Sequence, residues 1–222
     1  MIPDGTVFVV DDDAAFRQSL VRVLQEVNLP VQAFDSAAGF LEAYTPDRPA
    51  CLVADLLMPG MSGLELQKKL RADGIEIPVI MVSAYGDVPT AVEAMQQGAM
   101  DFIEKPIRPQ LLIDRVRQAL DRDLQRHQAE AERDALRARL AELTPREGQV
   151  VDLVVAGLTN KAIAARLGVC PQAIDAHRAK AMAKMGANSV PALIRLILEV
   201  NATLSDPATA SGPTTRPANA NA

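Results

Sequence analysis

Two runs of apolar residues each stop on aspartate: Val7-Phe8-Val9-Val10 before Asp11-Asp12-Asp13, and Cys51-Leu52-Val53-Ala54 before Asp55. A run that is apolar at every position has no solvated face. It therefore belongs to a strand covered on both sides, as in a parallel sheet between helical layers. Strands are predicted at Thr6–Val10, Val31–Phe34, Cys51–Asp55, Ile77–Ser83 and Asp101–Glu104, with amphipathic stretches near 14–27, 36–44, 63–73, 87–97 and from about 109 onward. Short strands alternating with helices predict βαβ crossovers and a doubly wound, five-stranded parallel sheet. Ligands of such sheets bind beyond the carboxyl ends of the strands, where the aspartates fall.

The chain of 222 residues is 49% hydrophobic, which is enough for two cores. With no Trp, those cores must be built from Val, Ile, Leu, Ala and Met. Cys51 and Cys170 stand far apart and outside any metal-ligand spacing, which argues against a disulfide framework or zinc site and fits a reducing compartment. The N-terminus lacks a basic n-region and no apolar run reaches the roughly 18 residues of a membrane span, so a soluble cytoplasmic protein is expected. The net charge of -5 conceals an asymmetry. Residues 1–122 carry 11 basic and 18 acidic side chains, whereas residues 144–201 carry 7 basic and 4 acidic. An acidic front and a basic back point at different partners.

From Pro109 to Leu143 there is neither Gly nor a further Pro, and apolar residues recur at Leu112, Val116, Leu120, Leu124, Ala131, Leu136, Leu140 and Leu143. That predicts one long helix or two abutting ones, serving as a solvated spacer or a dimerising coil. A new unit starts at Thr144-Pro145-Arg146-Glu147, with Thr as N-cap, Pro in the first turn and Glu closing a capping box. Gly157, Gly168 and Gly186 read as helix stops, and Thr159, Cys170 and Ser189 as caps. The tail, rich in Ala, Thr, Pro, Asn and Ser, lacks periodic apolar positions and is expected to be disordered.

Clustered carboxylates such as Asp11, Asp12 and Asp13 repel one another unless a cation neutralises them or one serves as an N-cap. Hard oxygen ligands in a small site suit Mg2+. Asp55 ends a run too apolar to be solvated surface, Ser83 ends the fourth run and Lys105 follows the fifth. Metal-binding carboxylates, a carboxylate nucleophile, a cation and a hydroxyl are what phosphoryl transfer to aspartate needs, because that chemistry rests on positioning and charge neutralisation. An enzyme reading competes. Asp11-x-Asp13 after a strand also resembles the nucleophile motif of haloacid dehalogenase-type phosphatases, although Ala15 stands where that family expects Thr or Val.

Together, Val-Val-Asp-Asp-Asp at 9–13, Asp55 with Met58-Pro59-Gly60, Ser83-Ala84, and Asp101 through Phe102 and Lys105 to Pro106 resemble the CheY-like receiver domains of two-component response regulators, across residues 4–122. The stretch Gly86-Asp87-Val88-Pro89-Thr90-Ala91-Val92 with Gly98-Ala99 resembles the FixJ subgroup. The resemblance implies that Asp55 accepts phosphate from a histidine kinase and that Asp11, Asp12, Asp55 and the backbone carbonyl of Leu57 hold Mg2+. It also implies that Lys105 pairs with the phosphoryl group, that Ser83 donates a hydrogen bond to it, and that Phe102 is an aromatic switch that turns inward. Asp13 has no direct metal role in that reading. A receiver acting as a phosphate-independent interaction module is the third reading, but no pocket residue is missing.

In the basic part, Asn160–Leu167, the turn Gly168–Cys170 and Pro171–Met185 read as a helix-turn-helix, whose second helix enters the major groove. On that helix Ile174, His177, Ala181 and Met185 recur at helical spacing and should face the core, leaving Gln172, Asp175, Ala176 and Ala179 outward. Lys161, Arg178, Lys180 and Lys184 are placed to meet phosphates, and Asp175 to read a base as an acceptor. The segment from Leu143 through Asn160-Lys-Ala-Ile-Ala to Met185 resembles the LuxR-type four-helix domain, with Ala173-Ile174-Asp175 where many members carry Thr-Val-Lys, and Cys170 where they carry Ser. In that family the fourth helix, here Ser189–Val200, makes the dimer contact, which implies a two-fold DNA site.

The expected architecture is an α/β receiver at 1–122, a helical linker at 123–142, an all-α LuxR-type DNA-binding domain at 143–201 and a disordered tail at 202–222. The expected function is that of a phosphorylation-dependent transcription regulator and not an enzyme. Phosphorylation of Asp55 promotes homodimerisation and binding to double-stranded DNA, with RNA polymerase as a further partner and no membrane involved.

Overall fold

The computed structural model describes residues 5–45, 49–84 and 88–204, with side chains up to Val200. Its contacts divide the chain between Gln128 and Ala129 into two compact units. The first alternates β1 (Thr6–Val10), α1 (Ala14–Gln25), β2 (Val31–Phe34), α2 (Ala37–Ala43), β3 (Ala50–Asp55), α3 (Gly63–Ala72), β4 (Val79–Ser83), α4 (Val88–Gln96), β5 (Asp101–Glu104) and the first part of α5 (Pro109–Ala141). The strands form one parallel sheet in the order β2-β1-β3-β4-β5.

Alternate residues of the apolar strands serve opposite layers. Phe8, Val10, Leu52, Ala54 and Met81 pack with Phe40, Leu66 and Leu70 on one face. Val7, Val9, Cys51, Val53, Ile80 and Val82 pack with Leu20, Leu24, Leu112, Val116 and Leu120 on the other. Burial on both faces is why these strands are apolar at every position. β4 begins at Val79, two residues later than expected, because Pro78 has no N–H to enter a ladder. The Pro78 carbonyl still accepts the Leu52 N–H at 2.9 Å, and Ile77 remains buried.

α5 runs from Pro109 to Ala141, as the absence of Gly and of further Pro predicts. Its later residues are not a bare spacer. Asp123, at the start of the expected linker, is buried in the first unit, where its carboxylate accepts the Ala50 N–H at 2.7 Å and the Arg126 Nη2–H at 2.7 Å. Leu136, with the partly buried Leu140 and Leu143, belongs to the core of the second unit.

That unit continues through α6 (Pro145–Val155), α7 (Asn160–Leu167), α8 (Pro171–Met185) and α9 (Val190–Leu204). The capping box forms as expected: Thr144 Oγ1 accepts the Glu147 N–H at 3.3 Å, and Glu147 Oε2 accepts the Thr144 N–H at 2.9 Å. Gly168 and Gly186 end α7 and α8 with φ of 66° and 68°, a conformation that strains any L side chain. Thr159 and Ser189 accept cap hydrogen bonds from the N–H groups of Ala162 and Ala192. Cys170 occupies the N-cap of α8 but its sulfur makes no cap bond, contrary to expectation. The helices close over Val150, Val154, Ile163, Ala164 and Ile174 on one side and Val151, Ala181, Met185, Leu193 and Ile197 on the other.

No helix among the described residues is long and apolar enough to cross a membrane. The tail from residue 205 and the Gly86-Asp87 pair lie outside the described residues.

Candidate functional site

β1 sits between β2 and β3, so the direction of winding reverses between β1 and β3, and their carboxyl ends form the crevice of a doubly wound sheet. The register pairs Val10 with Ala54, and the next residue of each strand is an aspartate. Carboxylate oxygens of Asp11, Asp12 and Asp55 converge within 4.8 Å of one another. Asp11 and Asp55 are buried and Asp12 is exposed. Lys105, arriving from β5, places Nζ 2.8 Å from Asp11 Oδ2 and 3.1 Å from Asp55 Oδ1. The same ammonium lies 4.0 Å from the centroid of the Phe16 ring, a cation–π contact.

Burial pushes the Asp55 carboxyl above its ordinary value, and repulsion from Asp11 and Asp12 adds to this against the pull of Lys105. For Lys105, burial opposes the charge, but Asp11 and Asp55 outweigh it and hold the ammonium above its ordinary value. Asp13 faces a different task. Its carboxylate accepts the N–H groups of Ala15 and Phe16 at 2.8 and 3.1 Å, which caps α1 and lowers its pKa. The Arg17 guanidinium donates to the Asp11 carbonyl and steadies the turn.

Ser83 is buried at the end of β4, one position past Val82, the sheet partner of Asp55. Its carbonyl accepts the Lys105 N–H at 2.8 Å, tying the lysine to the pocket rim. Leu57 is exposed two residues beyond Asp55. Gly63 opens α3 against the back of this loop, where an added Cβ would collide with the Asp55 carbonyl oxygen. The donor set fits Mg2+: three hard carboxylate oxygens, one of them open to water, and no nitrogen or sulfur ligand among the described residues of the cluster. Phe102 is half-buried on β5 and borders a groove with Val88, Ala91, Val92 and Met95 of α4. Val88, Val92 and Met95 follow one helix face and stay 74%, 46% and 46% exposed, an unusual apolar stripe for a free surface.

In the second unit, Lys161, Gln172, Asp175, Ala176, Ala179 and Lys180 are exposed, and Arg178 is half-buried. His177 is only half-buried, whereas Ile174, Ala181 and Met185 lie in the core. Two of the expected DNA contacts have partners within the unit. Lys184 is not a free phosphate contact, because its Nζ lies 2.7 Å from Glu147 Oε2 and donates to the Glu142 carbonyl at 3.0 Å. That partner, with the Thr144 N–H, lowers Glu147 to about 2. Asp175 is likewise partnered: Asn160 Nδ2 donates to its Oδ1, and Asn160 Oδ1 in turn accepts from Arg178 Nη1 at 3.0 Å. The sequence reading passed over Phe16, Arg17, Gly63 and Asn160. Only Gly63 carried a signal, a glycine in a helix first turn where no left-handed backbone is needed.

The family description "Response regulator receiver domain" matches residues 7–117, and "Bacterial regulatory proteins, luxR family" matches residues 141–197. The transcriptional regulatory protein FixJ of Azorhizobium caulinodans is 44% identical over 203 residues, covering 91% of this chain and 96% of that protein. Among solved structures, the response regulator StyR superposes with a TM-score of 0.81 at 41% identity, covering 88% of this chain and 98% of its own. Full-length FixJ from B. japonicum gives 0.55 at 40% identity, covering 90% and 98%. A receiver fold with an acidic pocket at its switch point, joined to a LuxR-type helix-turn-helix unit, defines a two-component response regulator. The chain belongs to the FixJ type of that family.

Proposed function

We propose that Asp55 is the phosphoacceptor through which a histidine kinase controls DNA binding by the second unit. The observation that carries this reading is the single ammonium of Lys105 shared between Asp11 and Asp55 at the carboxyl ends of adjacent strands. An Asp55 carboxylate oxygen attacks the phosphorus of a kinase phosphohistidine. The P–O bond forms as the P–N bond breaks, and the departing imidazole takes a proton from solvent. Asp11, Asp12, Asp55 and the Leu57 carbonyl hold Mg2+, which when bound neutralises charge on the phosphoryl oxygens. Lys105 moves its pairing from the Asp55 carboxylate to the new phosphoryl oxygens, and Ser83 donates to one of them. Phe102 then turns inward, reshaping the α4 and β5 surface.

The apolar stripe of Val88, Val92 and Met95 supports that surface as a phosphorylation-dependent homodimer contact. On DNA, Lys161, Arg178 and Lys180 meet phosphates while Gln172, Asp175, Ala176 and Ala179 face the bases. RNA polymerase is a further partner, the compartment is the cytoplasm, and the chain has no enzymatic substrate beyond its own phosphorylation. Dimerisation makes the second half-site contact intramolecular, so gains on the order of 10²-fold need no new base contacts. Sedimentation with and without acetyl phosphate, together with titration of two-fold and single half-site duplexes, tests this. The reading requires a monomer-to-dimer shift and selective tightening on the two-fold site. A protein equally dimeric in both states would point to release of an inhibitory receiver contact instead.

A further inference from the structure

We propose that Asn160, on the helix before the recognition helix, is a positioning residue for DNA recognition that holds Asp175 and Arg178 as one unit. This rests on the reading of α8 as the recognition helix and of Arg178 as a DNA contact.

Asp175 and Arg178 stand one turn apart on α8, close enough for an acid and a base to pair directly. They also engage the two ends of the Asn160 amide: Nδ2 donates to Asp175 Oδ1, and Oδ1 accepts from Arg178 Nη1 at 3.0 Å. A primary amide can satisfy a carboxylate and a guanidinium at once, one through each end. Thr159 caps α7 and Gly168 ends it, so the amide is delivered from a fixed first turn.

The consequence is preorganisation. A guanidinium is a planar fork, so holding one nitrogen restricts the plane of the rest, and several N–H donors remain for a phosphate or a guanine edge. Arginine has much rotamer freedom to lose on binding, and a side chain held beforehand loses less. The amide donor on Asp175 restrains a negative charge that would otherwise swing toward the DNA backbone. What α8 reads is thereby set partly by a residue outside α8.

The test uses the full chain, incubated with Mg2+ and acetyl phosphate, and two probes: a mixed-sequence duplex and a duplex selected by the wild-type chain from a random pool. Asn160→Ala leaves the formal charge unchanged. It should nevertheless weaken binding on the order of tenfold and lower the slope of log K against log salt by about 1, as losing one phosphate contact does. Arg178→Ala should do the same, and the double variant should be no weaker than Arg178→Ala alone. Asn160→Asp keeps an acceptor for Arg178 but replaces the donor to Asp175 with a second carboxylate, so it should bind more weakly than the wild type. A purely structural role would lower the melting temperature without changing the slope. Additive losses in the double variant, or an unchanged slope in Asn160→Ala, overturn the positioning role. An Arg178→Ala variant that binds like the wild type overturns the assignment of Arg178 to DNA, and the proposal with it.

Discussion

Lys105 and Asp11 are 94 positions apart in the chain, yet Lys105 Nζ stands 2.8 Å from Asp11 Oδ2. The crossover topology makes this contact possible, because all strands run parallel and the carboxyl ends of β1 and β5 lie on the same side of the sheet, with β3 and β4 between them. The pocket so formed sets one ammonium against three carboxylates, and that imbalance governs its response to pH and to substitution.

Asp55 titrates above its ordinary value in the folded protein, chiefly through burial. A folded state that binds the proton more tightly than the unfolded chain loses stability as pH rises from the ordinary value through the folded one. Asp55→Asn should therefore melt at a higher temperature than the wild type at pH 7 in Mg2+-free buffer, and its advantage should fade as pH falls toward 3.8, the ordinary value. Differential scanning calorimetry decides this, and a variant less stable than wild type at pH 7 contradicts the electrostatic account of the pocket.

Gly63→Ala would force a methyl group against the Asp55 carbonyl. Overpacking of this kind costs about 1–3 kcal/mol. Because the displaced atom belongs to the phosphoacceptor, urea unfolding should show that loss and acetyl phosphate labelling should slow. Unimpaired labelling would mean that the loop can shift without moving Asp55.

Asp123 accepts the Ala50 N–H at the far end of the strand that carries Asp55. Asp123→Ala leaves that buried donor without its acceptor, a loss of roughly 1–3 kcal/mol. Asp123→Asn should recover part of it by restoring an oxygen. Equal stability of both variants and wild type in urea would show that the contact is incidental.

Glu147 is held at about 2 by Lys184 and the Thr144 cap. Its folded pKa lies below the ordinary 4.5, so the stabilisation is complete above 4.5 and is lost as pH falls through about 2. Amide resonances of Thr144 and Glu147 should report this acid transition, and Lys184→Met should move it upward. Lys184→Met should also leave the salt dependence of DNA binding unchanged, whereas a lysine on a DNA phosphate would lower the slope by about 1.

The contrast between Lys105 and Lys184 shows what the sequence discloses. Lys105 was legible because it follows a strand that ends on the same carboxyl side of the parallel sheet as Asp11 and Asp55. The Lys184–Glu147 pair was not legible, because helical spacing says which face Lys184 shares on α8 but not that Glu147, 37 positions earlier, lies opposite that face. Asn160 was silent for the same reason, since its partners are 15 and 18 positions away on another helix. β1, β3 and β4 were legible because burial on both faces leaves a continuous apolar run. The start of β4 was not, because Ile77 is buried and Pro78 half-buried although both precede the strand.

The most direct test is to locate the phosphoryl group. Incubation of the full chain with Mg2+ and acetyl phosphate should yield one acid-stable, hydroxylamine-labile adduct that peptide mapping places on Asp55, and Asp55→Asn should abolish it. Persistence of the adduct in Asp55→Asn, or its appearance on Asp11, would contradict the account.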